Sequence, residues 1–395
     1  MKKLKVWVRL MWRPFLLCFG VLLVVGFVFG FRLGSLTHGV SAPEQSYVMS
    51  IYSGKALLNN PLYLAHKVPI YILFKLGVHA VGAYRAVSAL FAISAVVSCF
   101  FILREWYSLR VAILGTWLFM SSAWVLHIGR LATPEASFFL VLPLLWAAIW
   151  LYFTTLHKTA LIVLSVLLGL CLYLPGMVWF FLVLAIWQRK AIWREVKRVP
   201  IWYRIGASLV LVLILLPLLL AVIRSADVAI AALGLPSHPP TIKQLGQNAW
   251  NLPVSLFWRG PADPVRWLRP VPVLDAFSGV MLLLGLYSLR YHVTLIRTQV
   301  LLVVIGIASV LIVLGGPVTL SALVPILYLF IAAGIAFFLQ QWFTVFPRNP
   351  LARGIATTFV SITVLLVSYY HINHYFIAWP QTPATRTAFV QTSSL

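Results

Sequence analysis

Long apolar runs recur along this chain, broken by short polar and basic stretches, and their length decides the class of fold. An α-helix rises about 1.5 Å per residue, so about 20 apolar residues cross the roughly 30 Å hydrocarbon core of a bilayer. Runs of this kind fall at 15–33, 86–103, 111–128, 136–153, 159–175, 177–188, 206–224, 277–290, 299–314, 318–339 and 354–371. They predict an all-α, polytopic membrane protein with about eleven transmembrane helices. Only Leu174-Pro175-Gly176 separates the fifth and sixth runs, and the ten apolar residues Val68–Gly77 read as interfacial or re-entrant. The polar remainder predicts a single transmembrane domain, 1–371, with two long outer loops at 34–85 and 225–276 and a tail at 372–395. The second loop holds eight prolines, a density that opposes a long helix.

Composition agrees with the pattern. Hydrophobic residues make up 62% of the chain and charged ones 9%, with a mean hydropathy of +0.99, outside the range of soluble domains. The net charge of +23 comes from 30 basic and 7 acidic residues. In a soluble protein that would suggest nucleic acid, but no basic stripe is interleaved with aromatics as such binding requires. The basic residues cluster between apolar runs instead, where they set topology and meet anionic membrane lipid. Segment 189–205 alone carries six of them, and Lys2, Lys3, Lys5, Arg9 and Arg13 precede the first run. Both stretches are therefore expected in the cytoplasm, with the C-terminus outside, as in a multi-pass plasma (inner) membrane protein. The first run ends in Phe31-Arg32-Leu33-Gly34, which is no small-residue cleavage site, so it reads as an uncleaved helix.

With so few acids, two that open helices on the same outer face are the first candidates for chemistry. Ser41-x-x-Glu44 is a capping box, with Pro43 in the first turn where its missing N–H costs nothing. Thr133-Pro134-Glu135 repeats the arrangement, with Thr133 as N-cap. Each acid has a structural alternative: Glu44 as a simple cap, and Glu135 as the ion-pair partner of Arg130. Outer cations, among them Lys55, Lys67, Lys75, Arg85, Arg259, Arg266 and Arg269, suit phosphate oxygens or lipid headgroups. The nine histidines show no metal-ligand spacing, and His371 and His374 close the last run with no acid nearby in sequence. No GxSxG, P-loop or dinucleotide fingerprint is present.

Several of these positions together resemble the GT-C class of membrane glycosyltransferases, in particular the family 39 branch of protein O-mannosyltransferases and aminoarabinose transferases. They are Ala42-Pro43-Glu44-Gln45-Ser46-Tyr47, Gly54, Asn60-Pro61-Leu62-Tyr63, Tyr84-Arg85-Ala86-Val87-Ser88, Trp106–Arg110 and the stretch from Arg130 to Glu135. The resemblance covers about 34–155. It departs from the family in having Gln45 where a second acid is usual and in lacking a soluble C-terminal domain. It implies a polyprenyl-phosphate sugar donor used on the outer face, with displacement at the anomeric carbon. Glu44 would activate or orient the acceptor, and Glu135 would assist it or help hold a divalent metal; no cofactor is otherwise implied. Lys67, Arg85, Arg130, Arg259, Arg266 and Arg269 would be the candidates for the donor phosphate. The acceptor stays open, as do two other functions: a transporter or flippase of a lipid-linked glycan, and a non-catalytic scaffold descended from such enzymes.

Overall fold

The computed structural model describes residues 20–37, 39–153 and 157–389, and no strand occurs among them. Each of the eleven predicted runs coincides with a helix or a bent helix pair. Residues 15–19 of the first run and the last six of the 372–395 tail lie outside the described residues. Among the described residues six helices are long and apolar enough to cross a membrane, and a pair bent through 58° makes a seventh if taken as one span. The other four apolar helices, at Gly20–Gly30 (α1), His157–Cys171 (α9), Met177–Trp187 (α10) and Ala276–Tyr291, are shorter.

The bent pair corrects the expectation of one straight span at 111–128. Helix α6, Leu109–Ser121, breaks at Ser122, whose ψ of 129° is extended, and α7, Ala123–Arg130, leaves at an angle. The break falls at the Ser121-Ser122 pair, where the Ser121 hydroxyl takes a backbone carbonyl of its own helix, a common site of kinks. Ser121 Oγ donates to Leu118 O and to Ser368 Oγ at 2.9 Å, which ties the break to the last span. The chain re-enters a 3₁₀ turn at Pro134–Leu140 before α8, Val141–Phe153. Non-helical backbone at this depth is tolerated only where it is buried in protein or lines a hydrated cavity.

The centre of the bundle is α17, Leu320–Val345, of which 78% of the most apolar window is buried, against 17% for α12, Ile201–Arg224. Helix α17 meets α15, Ala276–Ser288, through two glycines. A Cβ on Gly285 would strike the Phe330 carbonyl, and one on Gly334 would strike the Met281 carbonyl, so only glycine permits this approach. Between α10 and α12 lies α11, Arg189–Lys197, a short helix with Ile192 and Trp193 exposed beside its basic residues, as suits an interfacial element.

The two long loops, 34–85 and 225–276, are folded. The first contains α2 (Ala42–Met49), α3 (Gly54–Asn59) and α4 (Leu64–Lys75), leading into α5 (Val81–Trp106). The second contains α13 (Ala226–Ala232) and α14, Ile242–Phe257, 16 residues long. That length departs from the proline argument. The prolines gather on either side of α14, only Pro253 falls within it, and a Thr241/Gln244 capping box starts it. After α16, Ile296–Leu314, and α18, Pro350–Asn373, the last span continues through a π-turn at His374–Ala378. The tail then packs down: Trp379 Nε1 donates to Pro264 O at 3.0 Å, and Phe389 is buried.

Candidate functional site

The Ser41/Glu44 capping box forms as the sequence indicates, but it is one part of a larger arrangement. Glu44 is fully buried and accepts from five donors: Arg85 Nε at 2.9 Å and Nη2 at 2.8 Å, Ala132 N at 2.9 Å, and Ser41 N and Oγ at 3.2 and 3.1 Å. Burial alone would raise its pKa. The Arg85 charge and hydrogen bonds, with those from Ala132 and Ser41, prevail and hold the carboxyl below its ordinary value. Arg85 is equally committed. Its Nη1 donates to Leu33 O and Thr37 Oγ1, and its Nη2 also reaches Gly39 O at 3.2 Å. This pair ties α2, the residues after α1 and the backbone after α7 to the start of α5. It leaves neither group free for a substrate atom.

Arg130 is also withdrawn. It donates from Nη1 to Val28 O at 2.6 Å, from Nη2 to Phe31 O and from Nε to Tyr375 Oη at 3.2 Å, with its guanidinium over the Phe376 ring. It therefore satisfies two carbonyls at the end of α1, Val28 O and Phe31 O. The Arg130–Glu135 pair considered from sequence does not form. Thr133 holds the N-cap position before Glu135, but its hydroxyl makes no capping bond.

Glu135 pairs with Arg266, with Oε1 2.7 Å from Nη2, and Arg266 Nη1 lies 3.4 Å from Asp263 Oδ2. Among the described residues, Glu135 Oε2 and Arg266 Nε are buried without a hydrogen-bond partner. Buried polar groups are rarely left so, and each unmade bond costs about 1–3 kcal/mol, so the spot is suited to a ligand or water offering both a donor and an acceptor. The hydroxyls of Ser122, Thr133 and Ser137, on the broken stretch leading to Glu135 and just past it, are likewise unpartnered.

Beside this pair stands the polar face of α4. Tyr63 and Tyr47 both feel the Glu135 charge. Tyr63 carries a left-handed backbone, φ +61°, rare for a bulky residue. His66 is completely buried between Tyr47 Oη (3.0 Å) and Ser88 Oγ (2.8 Å), and burial pulls its pKa down to about 3, so it is neutral. Lys67 donates to Asn60 O at 2.7 Å, and burial lowers its pKa to about 8. Arg259 and Arg269 are exposed on the loop that carries Arg266.

The structure thus brings together Glu135, Arg266, Tyr47, Tyr63 and His66 on one face, with Lys67 beside His66 on α4. It holds Glu44, Arg85 and Arg130 in structural bonds and leaves Arg259 and Arg269 at the surface. Sequence reasoning passed over Asp263 as the second partner of Arg266, three residues along the same loop. It also placed no acid near His371, yet Asp275 Oδ2 lies 3.0 Å from its Nε2, contributed by a helix start 96 residues away. Among the described residues, no three of His, Cys, Asp and Glu converge as metal ligands. Glu135 faces a guanidinium instead, so this donor set does not fit a divalent cation.

The fold that carries this site, all-α and polytopic, is shared with a solved membrane protein. The particular likeness is to ArnT from Cupriavidus metallidurans, whose crystal structure in the apo state matches with a TM-score of 0.54. That match covers 93% of this chain and 76% of ArnT at 12% identity, which defines a shared fold. No protein-family model and no curated protein sequence matches the chain.

Proposed function

We propose that this protein is a membrane glycosyltransferase that moves a sugar from a polyprenyl-phosphate donor to an acceptor on the extracytoplasmic face. The observation that carries the reading is the Glu135–Arg266 pair, with Glu135 Oε2 and Arg266 Nε unpartnered, set in an ArnT-like fold beside Tyr47 and Tyr63. The acceptor's hydroxyl or amine hydrogen-bonds to Glu135 Oε2. Its lone pair attacks the anomeric carbon, the bond from that carbon to the phosphate oxygen breaks, and the phosphate keeps the electron pair. Glu135 takes the acceptor proton. Arg266 Nε and the Lys67 ammonium meet the charge that grows on the leaving polyprenyl phosphate, in a setting sheltered from water where such contacts are strong. Arg259 and Arg269, exposed on the same loop, are placed to draw the phosphate in from the headgroup layer. Glu44 and Arg85 support this by fixing α2, and with it Tyr47, against α5. The N-terminus is cytoplasmic and the C-terminus outside, as the basic segment 189–205 requires.

Native mass spectrometry of protein gently extracted from its own membranes tests the donor class. A retained polyprenyl phosphate, with or without sugar, is the expected result. Retention of bulk phospholipid alone would remove the donor reading and favour a non-catalytic scaffold.

A further inference from the structure

The turn between α9 and α10 lies at the Glu135 end of the bundle, since Tyr173 O accepts from Tyr63 N at 2.9 Å. Helix α10 runs away from that end and delivers Arg189 to the opposite face, where Gln188 Nε2 reaches Gln299 Oε1 of α16 at 3.4 Å. The seam between α10 and α16 carries an open groove at each end. Near the Glu135 end, Trp179, Val183, Val303, Ile307, Val310 and Leu314 line an apolar groove of about 530 Å³. Gly306 opens its wall, and a Cβ there would meet nothing within 4 Å. At the far end, Trp187, Gln188, Arg189, Lys190, Arg194 and Ile296 line a second groove of about 660 Å³.

The charge at the far end is uncompensated. Among the described residues no carboxylate pairs with Arg189 or Lys190. The nearby acid, Glu195, is held by Arg198 at 2.5 Å and only loosely by Arg194 at 3.8 Å. Two cations also occupy the first turn of α11, where the helix dipole favours anions and no acid is present. From Ile296 to Leu314 the axis of α16 spans about 27 Å, room for a headgroup followed by a hydrocarbon chain. We propose that this seam binds an anionic phospholipid, with its phosphate on Arg189, Lys190 and Arg194 and one acyl chain in the groove that Gly306 opens. The site is separate from Glu135 and does not depend on the proposed transfer reaction.

The test is native mass spectrometry of the full chain equilibrated in mixed micelles with equimolar phosphatidylglycerol and phosphatidylcholine. Wild-type protein is expected to retain phosphatidylglycerol at least about tenfold in preference, since each basic residue near the headgroup favours the anionic lipid. The R189Q/K190Q/R194Q variant is expected to retain both lipids equally, and Gly306→Phe to lose both. Gly306→Phe fills open space and the three cations are exposed, so folding is not at stake in either. No preference in wild type, or a preference that survives the charge substitutions, overturns the proposal. So does displacement of phosphatidylglycerol by added polyprenyl phosphate that is blocked in Gly306→Phe but not in the charge variant, which would make the seam an isoprenoid groove.

Discussion

Removing the Glu44 carboxylate separates a structural from a catalytic role for the first acid. Glu44→Ala deletes the acceptor of five hydrogen bonds at a fully buried position and leaves the Arg85 guanidinium, only 2% exposed, facing the hole. Breaking one side of a buried ion pair costs about 3–5 kcal/mol because a charge is left without compensation. Loss of the capping box adds about 1 kcal/mol. An apparent Tm followed by tryptophan fluorescence in detergent is therefore expected to fall by on the order of 5 °C or more. Transfer activity should fall with it. Replacing both partners, with Glu44→Gln and Arg85→Met, should cost less than the two single changes together, giving a coupling of about 2 kcal/mol in a double-mutant cycle. A Glu44→Ala protein that melts like wild type but transfers no sugar would refute this reasoning and restore Glu44 as the acceptor's base.

Other outcomes follow from the same contacts. Arg266→Gln should reduce kcat/KM for the donor by about tenfold to a hundredfold, since hydrogen bonds to charged groups contribute about 1.5–3 kcal/mol, with Arg266→Lys intermediate; an unchanged kcat/KM would detach Arg266 from the phosphate. Donor binding should weaken as pH rises through about 8, where Lys67 loses its proton, and this dependence should vanish in Lys67→Gln. His66 is depressed from 6.5 to about 3, so the folded state binds fewer protons than the unfolded chain across that window. Stability in detergent should accordingly be full above about 6.5 and fall by roughly 1 kcal/mol per pH unit between about 6 and 4, a slope missing from His66→Gln. Gly334→Leu should push α15 off α17 and destabilise the bundle by at least about 3 kcal/mol; a melting temperature equal to wild type would show that the helices are not in this close contact.

Apolar runs located the six long membrane helices and the bent pair among the described residues, because a span must satisfy its own backbone and therefore announces itself as a continuous hydrophobic run. Hydropathy could not register the break at Ser122, since two serines barely change the average over twenty residues, although the paired hydroxyls were visible in the sequence. The capping box at Ser41 and Glu44 was legible because all its partners lie within three residues. What fills the rest of the Glu44 carboxylate was not, for Arg85 lies 41 residues on and Ala132 lies 88. Arg130 escaped for the same reason, its acceptors lying about a hundred residues upstream. Glu135 and the basic loop around Arg266 were both visible as candidates, but only the fold shows that the two share an ion pair.

The most direct measurement is transfer by purified protein in proteoliposomes loaded with a radiolabelled polyprenyl-phosphate sugar, supplied with a membrane extract as acceptor, comparing wild type with Glu135→Gln. A positioned general base contributes about 10²–10⁴ in rate, so Glu135→Gln should lose at least a hundredfold of the label transfer while the protein stays folded at the assay temperature, because Gln keeps an acceptor toward Arg266 and Arg266 keeps Asp263. Transfer by Glu135→Gln at the wild-type rate would contradict the assignment of the Glu135–Arg266 pair as the centre of the reaction.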